Sequence, residues 1–518
     1  MKKLRNLLSV FILAVLFSFL LVSCANPYLQ EEKTLPTLAV PPSPSPSDGP
    51  RDPQAASGNL VLGIYGYDTL DPLATNNEAL RNYLTLVYEP LVVPGKDASP
   101  EARIAKEWTT EDGGTTWKFT IRDDVKFHDG AQCTVYDVKN TLEWISRSGG
   151  AYADCAAGIS GYRILSQFEI EIELAAPDAF LPCKMIFPIV KSEELGNFTQ
   201  PNGTGQYRYS GVRENGAYLF QINTEYYGAF PKLASFEIRN YENASALYEG
   251  DADVMLCFDD NVIKYAKRAG YTVCPYTDGI LSCLLPSENT DIALRNYISS
   301  ALDRRLLVNA VIAGGGTEKL LPLAEGTYYR KHGDVLAQEI TGTKPAAVTM
   351  IADESDAEMM RLSALIKSQL EDLEIECTIT VYKSEAYGDA VKAGAYDFAL
   401  LNLQIGLWPD LYDLFATGGN LNYNHYSDAS MDSLLNSLRS AYRDASISGV
   451  TDFASFAQYA EAQIEKISLR AEETLPVIGL YSKNASVLLK NTIKGAALYN
   501  FTFWNTLESF GSWYIENQ

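Results

Sequence analysis

Histidine is scarce in this chain of 518 residues, which contains His128, His332 and His425 and no others. Their wide separation argues against a metal site or a catalytic triad built on histidine. The chain also lacks the G-x-S-x-G, H-E-x-x-H and P-loop motifs of common hydrolases, metalloproteases and nucleotide-binding proteins. We therefore expect no catalytic residue, no metal site and no cofactor, and a protein that acts by binding.

The cysteines lack the spacing of a zinc site or of a complete disulfide framework. No C-x-x-C pair occurs, and beyond Cys24 near the N-terminus an odd number remains. The seven are Cys133, Cys155, Cys183, Cys257, Cys274, Cys283 and Cys377. Several have apolar neighbours, where a small buried thiol is the expected state.

Positive charge is also in short supply. Lys and Arg number 42 against 65 Asp and Glu, a formal net charge of −23. Residues 1–23 hold three positive residues and no acidic one, so their removal would give −23 − 3 = −26. Nucleic acids and anionic lipid surfaces bind to basic faces, so we expect neither as a partner.

The first 23 residues have the layout of a secretory signal peptide. Lys2, Lys3 and Arg5 precede an uncharged, mostly apolar run at 7–23. Leu21-Val22-Ser23-Cys24 resembles the lipobox of bacterial lipoproteins, whose cysteine is lipidated before the signal is cleaved ahead of it. An uncleaved anchor is the alternative, although 17 residues are short of the ~20 that span a bilayer. We predict that Cys24 tethers the chain to the outer face of the cell membrane.

Residues 24–58 differ in composition from the rest of the chain. They contain Pro41-Pro42-Ser43-Pro44-Ser45-Pro46-Ser47 and few large apolar side chains. Such a segment buries too little apolar surface to offset the entropy of ordering, and proline keeps it semi-extended. We predict a tether, followed by about 460 residues that can bury a core in two or more lobes.

Residues 345–404 show the clearest architectural pattern. Strands are predicted at 346–351, 375–381 and 396–403. The helix between the first two is predicted to begin near 353–356, and the helix between the last two to span 384–394. This β-α-β-α-β order predicts a parallel sheet with right-handed crossovers. Ligands of open parallel sheets bind beyond the carboxyl ends of the strands, so residues 404–413 are the first place to expect a site.

Further elements are predicted on both sides of this segment. Strands are expected at 117–121, 168–174, 218–222 and 235–239, with 207–209 beginning the sheet that holds the last two. Helical spacing recurs at 292–302, and Asp303 is a plausible cap for a helix at 304–313. We expect Asp303 and Arg304 to form a cap and a surface ion pair.

An ordered series of short motifs gives the chain a resemblance to a known family. The motifs include Tyr88-Glu89-Pro90-Leu91, Ile104-Ala105-Lys106-Glu107-Trp108, Phe127-His128-Asp129-Gly130, Asn202-Gly203-Thr204-Gly205-Gln206-Tyr207, Ala301-Leu302-Asp303-Arg304 and Leu475-Pro476-Val477-Ile478. Together they resemble the family 5 extracellular solute-binding proteins, the oligopeptide-, dipeptide- and nickel-binding receptors of ABC importers. His128 stands in a motif that is structural in that family.

The resemblance implies an α/β fold, a two-lobed periplasmic-binding-protein-like clamshell of type II with an extra domain and mixed sheets flanked by helices. It implies domain I at 59–85, 200–275 and 478–518, domain II at 86–199 and domain III at 276–477. A small solute, a peptide above all, would bind between the lobes of a monomer and pass to a membrane permease. A surface sensor without transport and a lipid-anchored hydrolase are the alternatives.

The resemblance also suggests residues of the ligand site. Tyr65, Tyr67 and Asp68 follow a predicted strand where relatives line the cleft, although the two tyrosines could equally be ordinary edge aromatics. The other expected contacts are Phe258, near the crossing between the lobes, and Gln404, Leu407, Trp408 and Asp410. In peptide-binding relatives an aspartate that pairs with the peptide amine stands where this chain has Leu407. Nickel chelates, heme, sugars and blocked peptides therefore stay open as ligands.

Overall fold

The structure, a computed structural model, describes residues 55–94, 100–110, 112, 114–178, 181–258, 270–313, 315–321, 340–404, 411–447, 453–496 and 506–516. All of them belong to one unit of the fold, Ser43–Gln518. Within these ranges no helix is both long and apolar enough to cross a membrane. The predicted signal peptide, Cys24 and most of the predicted tether lie outside the described residues.

The described strands are short in most of the chain and long at two places. They are β1 (Asn59–Tyr65), β2 (Val92–Pro94), β3 (Pro100–Ala102), β4 (Ala105–Thr109), β5 (Thr116–Ile121), β6 (Ile159–Ile164), β7 (Glu169–Leu174), β8 (Tyr207–Val212), β9 (Tyr218–Ile222), β10 (Ser235–Tyr241), β11 (Val254–Cys257), β12 (Tyr271–Pro286), β13 (Gly316–Glu318), β14 (Ala347–Asp353), β15 (Glu376–Tyr382), β16 (Phe398–Gln404), β17 (Ile478–Lys490), β18 (Ile493–Lys494) and β19 (Tyr514–Ile515).

The described α-helices alternate with these strands. They are α1 (Glu78–Leu84), α2 (Val135–Ser148), α3 (Leu181–Lys184), α4 (Ala244–Glu249), α5 (Ile292–Ala301), α6 (Arg304–Val311), α7 (Ala357–Asp372), α8 (Ser384–Ala393), α9 (Tyr412–Phe415), α10 (Ala429–Ile447) and α11 (Phe453–Thr474).

The long strands β12 and β17 pass from one half of the main sheet to the other. That sheet has eleven strands in the order β15-β14-β16-β12-β17-β11-β1-β10-β9-β8, with β13 paired to β17. The register of β12 against β17 shifts between Thr277 and Leu281, as at a β-bulge. Two hydrophobic cores divide at the same point, because Tyr276 belongs to one and Leu281 to the other. The chain therefore has two lobes that share a pair of crossing strands.

The second lobe contains the predicted β-α-β-α-β unit. β14 pairs in parallel with both β15 and β16, which confirms the predicted parallel sheet. α7 begins after Asp356, whose side chain accepts the backbone N–H groups of Glu358 and Met359. α8 ends at Gly394, whose φ of +68° is a left-handed conformation that glycine adopts without strain. Both helix ends lie within the segments that the sequence predicted.

The first lobe is built around the other half of the sheet. β8, β9 and β10 are antiparallel neighbours, and β1 pairs in parallel with β10 and β11. The prediction that residues 207–209 begin the sheet of 218–222 and 235–239 is confirmed. Edge-to-face contacts of Tyr207 with Phe236 and Phe510, at 5.0 and 5.8 Å between ring centroids, fill its core.

A smaller antiparallel sheet, ordered β4-β5-β7-β6, has a hydrophobic core of its own. It includes the strands predicted at 117–121 and 168–174. Trp117, Phe119 and Ile170 pack in its core. All seven cysteines beyond Cys24 are buried and free of disulfides, so the expectation of buried thiols is confirmed.

His128 joins this smaller sheet region to the first lobe. Its Nδ1 accepts the N–H of Gly203 at 3.2 Å, so the ring proton is on Nε2, which donates to the Gly205 carbonyl at 3.1 Å. Burial lowers the pKa of His128 to about 4, which keeps the ring neutral in this arrangement at pH 7. These contacts agree with the structural role predicted for His128.

Arg304 is not the surface residue that the sequence predicted. Asp303 is the N-cap of α6, as expected, but the Arg304 side chain is buried, with 4% of the residue exposed. Its guanidinium donates to the carbonyls of Ser299, Lys319 and Gly479 at 2.7, 3.2 and 2.8 Å. The predicted surface ion pair is wrong because three carbonyls from separate segments meet around this side chain.

Candidate functional site

A cavity of about 420 Å³ lies where the two lobes and the smaller sheet come together. The first lobe contributes α1, the segment after it and Thr506 to Glu508. Arg103 and Tyr152 enclose it from the region of the smaller sheet, and Gln404 reaches it from the end of β16 in the second lobe. Its volume is in the range typical of small-molecule sites, about 300–1,000 Å³.

Helix α1 gives this cavity a polar wall. Glu78, Arg81, Asn82 and Thr85 line it, and their spacing of three, four and seven residues from Glu78 places them on one face of the helix. The opposite face buries Ala79, Leu80, Tyr83 and Leu84. The helix therefore anchors its apolar face in the first core and presents charge and amide groups to the cavity.

Glu89 is a buried carboxyl group in the same wall. It is 6% exposed, and its Oε1 accepts the Tyr226 hydroxyl at 2.6 Å. Its Oε2 has no hydrogen-bond partner among the described residues. Burial raises the pKa of Glu89, against the opposing effect of nearby Arg103. Arg103 itself forms an ion pair with Glu508 at the cavity wall.

The crossing strands bring another carboxylate close to this cavity. At the bulge of β12, Gly279 has a φ of +80°, and Asp278 accepts the Ile280 N–H at 2.8 Å. Gln404 donates from Nε2 to the Gly279 carbonyl at 3.2 Å. Burial raises the pKa of Asp278 to about 6. The predicted site residue Gln404 thus connects the bulge to the cavity wall.

Tyr65 and Tyr67 lie at the carboxyl end of β1. Tyr65 is 38% exposed, and its carbonyl accepts Asn77 Nδ2 at 2.7 Å. The Tyr67 ring stacks on Tyr218, with 5.0 Å between centroids and 24° between planes. Neither tyrosine lines the cavity described above.

Asp68 organises the loop between β1 and α1. Its carboxylate accepts the N–H of Thr69, the hydroxyl of Thr75 and the N–H of Asn76, each at 2.7 Å. These hydrogen bonds hold the pKa of Asp68 below its ordinary value although burial acts in the other direction. The loop in turn places Asn77 as the N-cap of α1, so Asp68 acts on the cavity wall through the position of that helix.

The remaining predicted site residues divide into one that is described and three that are not. Phe258 follows β11 and packs, partly buried, against the first core. Leu407, Trp408 and Asp410 lie outside the described residues.

Sequence reasoning missed most of the cavity wall. Glu78, Arg81, Asn82 and Thr85 carry a signal that could have revealed them, a polar stripe at helical spacing opposite an apolar one. Glu89 was noted as part of a motif but not as a site residue. Asp278 carries no such signal, because its position depends on a bulge between strands about 200 residues apart in sequence.

The described residues include no group of three or more His, Cys, Asp or Glu arranged to hold a metal ion.

The chain is similar to several curated proteins. It is 21% identical to the oligopeptide-binding protein AppA of Bacillus subtilis, over 86% of this chain and 91% of that protein. It is 24% identical to the probable D,D-dipeptide-binding periplasmic protein DdpA of Escherichia coli, over 71% of this chain and 78% of the relative.

Solved structures share the fold. An unliganded open form of the periplasmic murein tripeptide-binding protein MppA superposes with a TM-score of 0.72 at 17% identity, over 89% of this chain and 97% of that one. AppA from Bacillus subtilis, solved with a nonapeptide, gives a TM-score of 0.61 at 18% identity, over 89% of this chain and 99% of that one. Both support the two-lobed α/β fold predicted from the sequence.

The family comparison covers the middle of the chain. Residues 99–424 match the model described as "Bacterial extracellular solute-binding proteins, family 5 Middle". This range includes the smaller sheet, part of the first lobe, and β12 with the parallel unit of the second lobe. The chain belongs to the family 5 bacterial extracellular solute-binding proteins.

Proposed function

We propose that this protein is the substrate-binding component of an ABC importer. It captures a small solute between its two lobes, carries out no chemistry on it, and delivers it to a membrane permease. The observation that carries the proposal is the cavity of about 420 Å³ whose wall draws on both lobes next to their crossing strands. A ligand in such a place contacts both lobes and stabilises their closed arrangement.

The proposal includes the domain division implied by the sequence, with domain I at 59–85, 200–275 and 478–518, domain II at 86–199 and domain III at 276–477. It also retains the ligand contacts expected from the sequence, which are Tyr65, Tyr67, Asp68, Phe258, Gln404, Leu407, Trp408 and Asp410. Relatives named as oligopeptide- and dipeptide-binding proteins support a peptide or a similar small solute. AppA binds a nonapeptide in its structure.

Ligand capture is tested by blocking the cavity. Ligand-stripped protein incubated with a low-molecular-mass ultrafiltrate of tryptone and yeast extract is expected to retain a small molecule, to melt at a higher temperature and to become more compact. Thr85→Trp places an indole at an exposed cavity-lining position and should abolish all three effects. Native mass spectrometry, thermal unfolding and small-angle scattering measure them.

Lys392→Trp on α8 is the matched control, since Lys392 is exposed and is not among the residues that line the cavity. It should behave as the parent chain does. Retention of a solute by Thr85→Trp with parental affinity would move the binding site elsewhere. Retention of nothing by the parent chain would contradict solute capture itself.

The proposed location rests on Cys24. A lipid on this cysteine would hold the receptor near its permease and raise its effective concentration there. We expect the parent chain to fractionate with membranes and to incorporate a clickable fatty acid fed to the cells. Cys24→Ser should incorporate none and should lose membrane association, whereas Cys257→Ser should keep both. Equal labelling of Cys24→Ser and the parent chain would exclude Cys24 as the lipidated residue.

A further inference from the structure

Two Asn-Gly pairs occur in the chain, Asn202-Gly203 and Asn215-Gly216. Asn-Gly is the dipeptide most prone to close a succinimide ring, because glycine has no side chain to keep its backbone nitrogen away from the asparagine side-chain carbonyl. Both pairs have the same local chemistry, so their local sequence does not distinguish their reactivity. The structure separates them by the groups that hold the reacting atoms.

Asn215-Gly216 forms the tip of the hairpin between β8 and β9. Both residues are exposed, and Gly216 has a φ of +80° that glycine adopts without strain. The Arg213 N–H donates to the Ala217 carbonyl at 2.8 Å, and the Gly216 N–H donates to the Arg213 carbonyl at 2.9 Å. A Cβ at Gly216 would meet nothing within 4 Å, so the space around the pair is open.

The side chain of Asn215 is held in a reactive arrangement. Its Oδ1 accepts the N–H of Ala217 at 3.1 Å, a contact two residues along the chain that curls the side-chain amide back over its own backbone. A donor at Oδ1 also polarises the amide and makes Cγ more electrophilic. Within the part of the chain that the structure describes, no group binds Nδ2, which is the leaving group.

Ring closure needs one bond to form and one to break. The Gly216 nitrogen gives its proton to hydroxide and attacks Cγ of Asn215, and the tetrahedral intermediate expels Nδ2, which takes a proton from water and leaves as ammonia. Water then opens the succinimide at either carbonyl and leaves aspartate or isoaspartate at position 215. The Gly216 N–H must first leave the Arg213 carbonyl, a small cost at an exposed turn where water replaces the lost partner.

Asn202-Gly203 has the same atoms but none of this freedom. Asn202 is 7% exposed, and its Nδ2 donates to Asp129 Oδ2 at 3.1 Å and to Glu194 Oε1 at 2.6 Å. The attacking nitrogen is held as well, since the Gly203 N–H donates to His128 Nδ1 at 3.2 Å. Buried hydrogen bonds of this kind open only together with the surrounding structure. Attack at Asn202 therefore requires partial unfolding.

We propose that Asn215 is a site of spontaneous covalent modification, deamidation through a succinimide with Gly216, and that the fold protects Asn202 from the same reaction. The modification adds a carboxylate to an already acidic chain, and the isoaspartate product lengthens the backbone of the turn by one methylene. The turn precedes Tyr218, whose ring stacks on Tyr67, so the product is expected to loosen the edge of the sheet beside an expected ligand contact. Deamidation at this turn does not depend on the proposed function.

Peptide mapping of the folded full chain by mass spectrometry tests this assignment. Trypsin, which cleaves after lysine and arginine, releases the two pairs on separate peptides, residues 192–208 and residues 214–232. After incubation at mildly alkaline pH, the second peptide should gain a carboxylate at position 215 and split into two chromatographic forms of one mass. The first peptide should react more slowly by roughly tenfold or more. The rate at position 215 should rise with pH, because the attacking amide must lose its proton.

Incubation in guanidinium chloride is the control for sequence effects, since both peptides should then react at similar rates. Asn215→Gln is the matched variant, because glutamine would have to close a six-membered ring. Its peptide should remain unmodified, while its circular dichroism spectrum and urea midpoint stay parental. Equal rates for the two peptides in the folded chain would overturn the protection of Asn202. An Asn215 that reacts in guanidinium chloride but not in the folded chain would overturn the exposed turn as a modification site.

Discussion

Replacing Arg304 by methionine is expected to lower the free energy of unfolding by about 3 kcal/mol. The guanidinium donates four hydrogen bonds, to the carbonyls of Ser299, Lys319 and Gly479 and to the Ser299 hydroxyl. Methionine fills a similar volume and offers no donor. Burial lowers the pKa of Arg304 to about 10, so the side chain is still charged at pH 7 and its hydrogen bonds are charge-assisted.

The loss should appear as a lower urea midpoint in circular dichroism and as faster amide exchange. The faster exchange should be confined to the segments around Ser299, Lys319 and Gly479, because Arg304 joins the start of α6 to the beginning of β17. Arg305→Met is the matched control at the next position, which is exposed, and should change stability by no more than about 0.5 kcal/mol. Equal midpoints for the two variants would show that the buried hydrogen bonds of Arg304 contribute little.

Arg304 also shows where sequence reasoning ends. Its neighbour Asp303 was predicted correctly as a helix cap, because a cap is a local feature of four or five residues. The environment of Arg304 depends instead on Gly479, which lies 175 residues further along the chain. No local pattern indicates that such distant carbonyls converge, so the general preference of arginine for the surface led to the wrong prediction.

The fold was predictable where side-chain periodicity repeats over whole elements. The β-α-β-α-β unit alternates periods of two and 3.6 residues, and those periods predicted both its elements and its parallel pairing. The residues of the candidate cavity were harder to predict from side-chain periodicity. The polar face of α1 has a local signal, but the hydrogen bond from Gln404, a cavity-lining residue, to the Gly279 carbonyl depends on a bulge that only the pairing of β12 with β17 defines. Gln404 was found because it ends a strand.

Gly203→Ala is expected to destabilise the protein by at least about 3 kcal/mol, because a methyl group has no space there. A Cβ on Gly203 would lie 2.0 Å from the Val87 carbonyl oxygen and 3.0 Å from the Tyr88 Cα. These neighbours are backbone atoms of Val87 and Tyr88, which cannot move out of the way as the end of a flexible side chain can. On the other side, the Gly203 N–H and carbonyl are held by His128 Nδ1 and His128 N–H at 3.2 and 2.9 Å.

The clash should reach the ligand cavity as well as the core. Residues 84–90, which include Val87, supply a large part of the cavity wall, so a shift of this segment moves Glu89 together with it. We therefore expect Gly203→Ala to reduce solute retention in addition to lowering the urea midpoint.

Gly388→Ala provides the opposite case. Nothing lies within 4 Å of a Cβ there, and alanine within a helix is favoured over glycine by about 0.5–1 kcal/mol. That variant should be slightly more stable and should bind as the parent chain does. If Gly203→Ala instead melts and binds like the parent chain, the close passage of residues 202–207 against residues 86–88 cannot be what positions the cavity wall.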